Sequence, residues 1–291
     1  MGFISEYVSI ADALSCIHFE GLAYLLVVFI LLWFGKLIND LFTSYSIDNE
    51  LTNKDNKALA VSYVGYLMAQ GIIVLGVLRG PDVSSLLVDL GLIVLWSLIG
   101  IILLNLSRLV NDKLIFSKFN NKKEIIDDRN IGTGAVQFGS YIGTAFILQA
   151  IISGESEGIL PDLFGTVIFF IVGQLGFIIF SIIYQKSTRY DLHGEIEKDN
   201  AAAGVSFGAT LVAIGILMSH SIMITNSIPA FFVWFINGMV LIIISRFVVD
   251  KIILPRHKLD DEIRRDKNWG VALIEGGAAI IVALLINASF I

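Results

Sequence analysis

The sequence predicts an all-α, polytopic transmembrane helical bundle. Three observations carry that prediction: long uncharged apolar stretches, basic residues gathered on alternate turns, and a turn motif that recurs four times. Of 291 residues, 56% are hydrophobic and 16% are charged, against roughly 25% charged in an ordinary soluble domain. The formal charge of −6 defines no class, because charges segregated by membrane side act by placement rather than by sum.

A helix crossing a ~30 Å hydrocarbon core needs about 20 apolar residues. Eight stretches qualify, at roughly 20–42, 57–78, 83–111, 130–152, 159–185, 200–224, 229–254 and 268–291. Each is apolar on all sides, the pattern of a helix surrounded by lipid or protein.

Of the 20 basic residues, Arg79 alone falls on the side reached by the even-numbered turns. The others flank the odd turns, from Lys36, Lys54 and Lys57 at the first to Arg246, Arg256, Arg264 and Arg265 at the last. Basic loops stay cytoplasmic. The expectation is therefore a bacterial inner (plasma) membrane protein with its charged turns inside and both termini outside.

Residues 1–18 place Phe3, Tyr7, Ile10, Leu14 and Ile17 at three- and four-residue intervals, which makes one apolar helical face. This segment is expected either to lie in the outer interface or to pack against the bundle. Cys16, the single cysteine, can form neither an intramolecular disulfide nor, alone, a metal site. Leu14 and Ser15 before it loosely suggest a lipoprotein cleavage site, but no basic residue precedes Lys36, and cleavage is not expected.

Aligning the charged turns exposes the repeat. Each has an acid, a short polar stretch, an Asn and then a helix rich in small residues: Glu50 to Asn56 and Ala58, Glu124 to Asn130 and Gly132, Glu195 to Asn200 and Ala202, Glu262 to Asn268 and Gly270. The Asn is a natural N-cap, since its side chain accepts from an otherwise unpaired amide. In three copies the preceding helix ends with a base four residues before an acid, Lys36/Asp40, Arg108/Asp112 and Arg246/Asp250. We read these pairs as interface anchors, contributing at most a few tenths of a kcal/mol.

Two spans return the chain to its starting side, so the copies are parallel repeats with an axis along the membrane normal. A ring-like bundle is permitted, its centre a pore, a packed core or a lipid-filled gap. The expected division is residues 1–18, a four-span domain over 19–152 and a second over 153–291.

With its four acid–spacer–Asn–Ala/Gly turns, the sequence resembles a family of bacterial inner-membrane proteins of the YjfL type, defined by a domain of unknown function. The resemblance covers roughly residues 20–291, and because such domains hold four spans, it implies two in tandem. It also implies association with envelope-stress proteins of the phage-shock type, hence membrane maintenance, and it supplies no catalytic residues.

Within the spans, Gly65 and Ala69, Gly139 and Gly143, Ala209 and Ala213, and Gly276 and Gly277 mark small helix faces, which allow close packing in lipid. Seven positions after each repeat Asn stand Tyr63, Gln137, Phe207 and Glu275, about 10 Å along the helix. A carboxylate there costs roughly 2.5–3.5 kcal/mol near the bilayer centre. Glu275 must therefore pair with Gln137 or Tyr63, relay a proton or cation, or sit in a hydrated position near the turns. Gln70, Gln174 and Asn237 lie deeper and call for interhelical partners. Gln149, His220 and Asn287 fall near the far ends of their spans, where interfacial water would serve them.

The four histidines are scattered, with no metal-ligand spacing, and no nucleotide loop or nucleophile elbow is present. Neither a cofactor nor a metal is expected. The basic turns are too short for a nucleic-acid domain; anionic lipid headgroups suit them better. Homo-oligomers and envelope-stress proteins are the other expected partners. The expected function is a non-enzymatic scaffold or membrane-maintenance component, with an ion or small-solute channel or transporter using Glu275 as the alternative.

Overall fold

A computed structural model of the chain describes residues 19–80, 85–115 and 120–289. The proposed interfacial segment 1–18 and Cys16 lie outside the described residues. Eight helices are long and apolar enough to cross a membrane: α1 Phe19–Phe42, α2 Lys57–Leu78, α3 Leu86–Val110, α4 Ile131–Ile152, α5 Ile159–Ser187, α6 Ala201–Thr225, α7 Ile228–Val248 and α8 Trp269–Ser289. Wider, π-type turns prolong α3 through Ile115 and α7 through Ile253. No strand occurs among the described residues.

The charged turns are built alike. Asp55, Arg129, Asp199 and Lys267, each just before a repeat Asn, adopt positive φ of 49°, 55°, 57° and 46°. This left-handed residue ends one short helical turn and lets the next helix start at once. The Asn backbone N–H then donates to the carbonyl of the repeat acid, at 3.0 Å for Asn56 to Glu50, 2.8 Å for Asn130 to Glu124, 3.0 Å for Asn200 to Glu195 and 2.9 Å for Asn268 to Glu262. The Asn side-chain oxygen caps the following helix, accepting from the amides of Leu59, Thr133, Ala203 and Val271. The expected caps are therefore present in all four copies.

One further bond ties each copy to the next. Asn56 Nδ2 donates to the Ile125 carbonyl at 2.8 Å, Asn130 Nδ2 to that of Ile196 at 2.5 Å, and Asn200 Nδ2 to that of Ile263 at 2.9 Å. One side chain thus satisfies its own helix start and the turn of its successor.

The helices that follow the Asn residues form a row in the order α2, α4, α6, α8, and these are the most extensively packed pairs in the molecule. Small residues permit it. A Cβ at Gly139 would collide with the Gly208 carbonyl, one at Gly204 with Gly132, and one at Gly134 with the Ala58 carbonyl. Contact at that range places backbone against backbone, the arrangement that small faces allow in lipid. The ring permitted by the repeat is not what forms: α2 and α8 stand at opposite ends of the row. The remaining helices flank it, α1 against α2 and α3, α3 also against α2 and α4, α5 mainly against α4, and α7 against α6 and α8. Consequently α6 is enclosed along most of its length while α1 is largely open to lipid.

Candidate functional site

The most charged buried cluster lies where α5, α6, α7 and α8 meet near the charged turns. Arg246 occupies the last turn of α7, and Glu275 sits two turns into α8, about 9 Å from its start. Both are buried, Glu275 at 2% relative exposure and Arg246 at 9%. Arg246 Nη1 donates to Glu275 Oε1, and Nη2 to Asp260 Oδ1 on the turn helix Leu259–Arg264. Ser206 of α6 donates to Glu275 Oε2 at 2.6 Å, and the Tyr184 hydroxyl of α5 to Oε1 at 3.2 Å. Arg246 Nη1 also reaches the Tyr184 oxygen at 3.1 Å, and the guanidinium carbon lies 5.6 Å from the Tyr184 ring centroid. That distance is within cation–π range.

Glu275 therefore pairs with Arg246, Ser206 and Tyr184, not with Gln137 or Tyr63. Three donors converge on one carboxylate, and charge-assisted bonds of this kind are roughly twice as strong as neutral ones. Breaking a buried pair by removing one partner costs about 3–5 kcal/mol, because the other charge is left without compensation. The base–acid pairs on the preceding helices also need correction. Lys36 does approach Asp40, at 3.6 Å, but Arg246 turns inward to Glu275 and Asp260, and Asp250 accepts instead from the Leu259 amide at 2.7 Å.

The first half has a counterpart. Arg108, in the last turn of α3, donates to Asn39 Oδ1 and to the Phe42 carbonyl, both at 2.8 Å. Gln137 occupies the position of Glu275; its oxygen accepts from Ser62 at 2.7 Å, and its nitrogen donates to Asp112 at 3.2 Å. Ser62 on α2 matches Ser206 on α6, each six residues after its repeat Asn. Tyr45 and Tyr190 match too, each fixed by a Thr hydroxyl two residues earlier that donates to the Tyr carbonyl at 3.1 and 3.0 Å. Burial raises the pKa of both phenols above the ordinary Tyr value, which favours the neutral form. An open cleft of about 230 Å³ reaches Arg246 and Asp260, and a smaller one of about 120 Å³ reaches Arg108 and Asp112.

The other sequence candidates do not join this cluster. Tyr63 is half-buried and stacks on Tyr66, with centroids 6.1 Å apart. Gln70 is buried beside Gly35, and its amide has no hydrogen-bond partner among the described residues. Gln174 donates to Thr144 at 3.1 Å. Asn237, expected to need an interhelical partner, is exposed on α7. His220, expected in interfacial water, is fully buried and its Nδ1 meets the Asn287 oxygen at 3.0 Å. Sequence reasoning missed Arg246, Ser206 and Tyr184 as a unit. A usable signal was present: Arg108 precedes Gln137 by the same 29 residues that separate Arg246 from Glu275.

Eight apolar helices, a row of close-packed helices and charges gathered mainly at the turns and helix ends define a multi-pass membrane protein. The chain belongs to the family described as Domain of Unknown Function (DUF350), which matches residues 10–152 and again 158–290. It is 30% identical over 120 residues to the UPF0719 transmembrane protein YshE of Bacillus subtilis (strain 168), covering 41% of this chain and 88% of that protein. It is 30% identical over 122 residues to the UPF0719 inner membrane protein YjfL of Escherichia coli (strain K12), covering 42% and 89%. Against a UPF0719 transmembrane protein of Aquifex aeolicus (strain VF5) it is 26% identical over 188 residues, 62% of this chain and 66% of the length of that relative. No solved structure matches.

Proposed function

We propose that this protein is a non-enzymatic membrane scaffold that supports envelope maintenance, with its charged turns on the cytoplasmic side and in contact with anionic headgroups. The observation that carries this reading is the fixed state of Glu275, which is held by Arg246, Ser206 and Tyr184 beside a row of helices packed backbone to backbone. A carboxylate locked in this way serves architecture. Arg264 and Arg265, with side chains 60% and 70% exposed, are two adjacent turn cations open to headgroups, where each nearby basic residue is worth about 1 kcal/mol.

The test is complementation of a deletion strain, with envelope integrity read at matched amounts of inserted protein. Arg264→Glu with Arg265→Glu is expected to lose more function than Glu275→Gln. A folded Glu275→Gln protein that fails while the double variant works would reverse the reading. The cleft that reaches Arg246 favours a second reading, a channel or transporter using Glu275. Ion or proton flux through purified protein in liposomes, lost in Glu275→Gln, would establish it in place of the scaffold.

A further inference from the structure

The row of repeats leaves two complementary ends. Three times within the chain, the helix of one copy presents small residues to the helix of the next in a constant register. The position nine after the repeat Asn on one helix meets the position eight after it on the next: Gly65 contacts Phe138, Gly139 contacts Gly208, and Ala209 contacts Gly276. In the same way the position two after the Asn receives the position four after it, as Gly204 does against Gly132 and Gly134 against Ala58. On α8 the positions that would face a further copy are Gly270 and Gly277. Among the described residues, Gly277 has nothing within 4 Å of an added Cβ, and Gly270 has only its own Asn268 side chain at 3.4 Å.

The other end matches. On α2 the position eight after the Asn is Val64, which is 48% exposed. The position fifteen after it is Gly71, which faces open space, while its equivalent on α6, Gly215, lies against Gly143 of α4. An independent polar signal agrees with the glycines. Asn56, Asn130 and Asn200 each donate to the turn of the following copy. The Asn268 side chain, among the described residues, bonds only Glu262 and the Val271 amide.

We propose that α8 of one molecule docks against α2 of a second copy of this chain, continuing the row head to tail, with Asn268 donating to the turn carbonyl of Leu51 in the neighbour. The interface is heterologous, so it closes into a ring or extends as a filament according to the rotation per step. It does not depend on the scaffold reading, since a transporter could assemble in the same way. Close packing of small faces is the force available between helices in lipid, and among the described residues nothing lies within 4 Å of a Cβ added at Gly71 or Gly277.

Cross-linking in intact membranes tests it. In a Cys16→Ser background, Gly277→Cys combined with Val64→Cys is expected to give oxidant-induced dimers and a ladder of larger species. Gly277→Cys combined with Leu25→Cys, on the lipid-facing side of α1, is the control. A yield no higher than the control overturns the proposal. As a second measurement, Gly277→Trp and Gly71→Trp are read by native mass spectrometry in lipid nanodiscs. These substitutions enter open space in the monomer, so the fold is expected to persist while assembly falls several-fold. Assembly equal to wild type, or a wild type that is monomeric throughout, overturns it as well.

Discussion

Arg108 and Arg246 enter the protein from the last turns of α3 and α7, and each stands 29 residues before its partner position on the next row helix. Their surroundings diverge from there. Arg246 faces two carboxylates, Glu275 and Asp260, whereas Arg108 is satisfied by an amide oxygen and a backbone carbonyl. Gln137 takes the place of Glu275 and links Ser62 to Asp112. A single scaffold thus accepts either a carboxylate or an amide at the position 29 residues after the Arg, each hydrogen-bonded as buried polar groups usually are. The lesson concerns cost: removing Gln137 takes one hydrogen bond from Asp112, which keeps the one from Asn121, and leaves Arg108 both of its acceptors, whereas removing Glu275 takes a carboxylate from Arg246.

The largest expected effect follows directly. Glu275→Ala strands Arg246 and is expected to destabilise the protein by about 3–5 kcal/mol, measured by reversible SDS unfolding in bicelles. Gln137→Ala is expected to cost only about 1–3 kcal/mol, the penalty of leaving Ser62 and Asp112 each short of one hydrogen bond. Equal losses at the two positions would break the comparison.

Converting one site toward the other sharpens it. Gln137→Glu places a second carboxylate beside Asp112 and is expected to lose about 1–3 kcal/mol, most of which Asp112→Asn should restore. The pair should therefore couple by 0.5 kcal/mol or more in a double-mutant cycle, on the order found for residues in one network.

The turns allow a smaller test. Asn130 caps α4, bonds Glu124 and reaches Ile196, while Asn268 makes only the first two kinds of bond. Asn130→Ala is expected to cost about 1 kcal/mol more than Asn268→Ala, the net worth of one hydrogen bond. Both lose a cap worth about 1 kcal/mol.

The smallest effect concerns pH. Burial raises the Glu124 carboxyl above its ordinary value. The folded state then binds a proton more readily than the unfolded chain, so this group's contribution is fully present below its unfolded pKa and is lost as pH rises through the folded one. Glu124→Gln, which retains an acceptor for Asn130, should flatten that part of the stability profile. An unchanged profile in acid titration would reject the assignment.

Most of the frame was legible in the sequence. The spans showed as apolar length, and the caps followed from an Asn placed just before each small-residue helix. Even the close seams were foreshadowed by Gly139, Gly143 and Gly276. The site was not readable in the same way. Glu275 stood out because a carboxylate in a span must be compensated, yet its partners come from α5, α6 and α7, as much as 91 residues away in the case of Tyr184. Arg246 looked like an anchor because helix spacing put Asp250 within reach, and local spacing carries no information about which way a long side chain turns.

By itself, then, the sequence determined that the chain spans the membrane eight times as four parallel two-helix copies with capped turns. Those features depend on local chemistry: hydrocarbon thickness, backbone satisfaction at helix ends, and the lack of side-chain bulk at Gly and Ala. Only the tertiary structure decided that the copies form an open row instead of a ring, that Asn56, Asn130 and Asn200 each tie one copy to the next, and that Glu275 is neutralised by Arg246. The reason is physical: which helix faces meet, and which buried charge finds its complement, is fixed by packing between segments far apart in the chain.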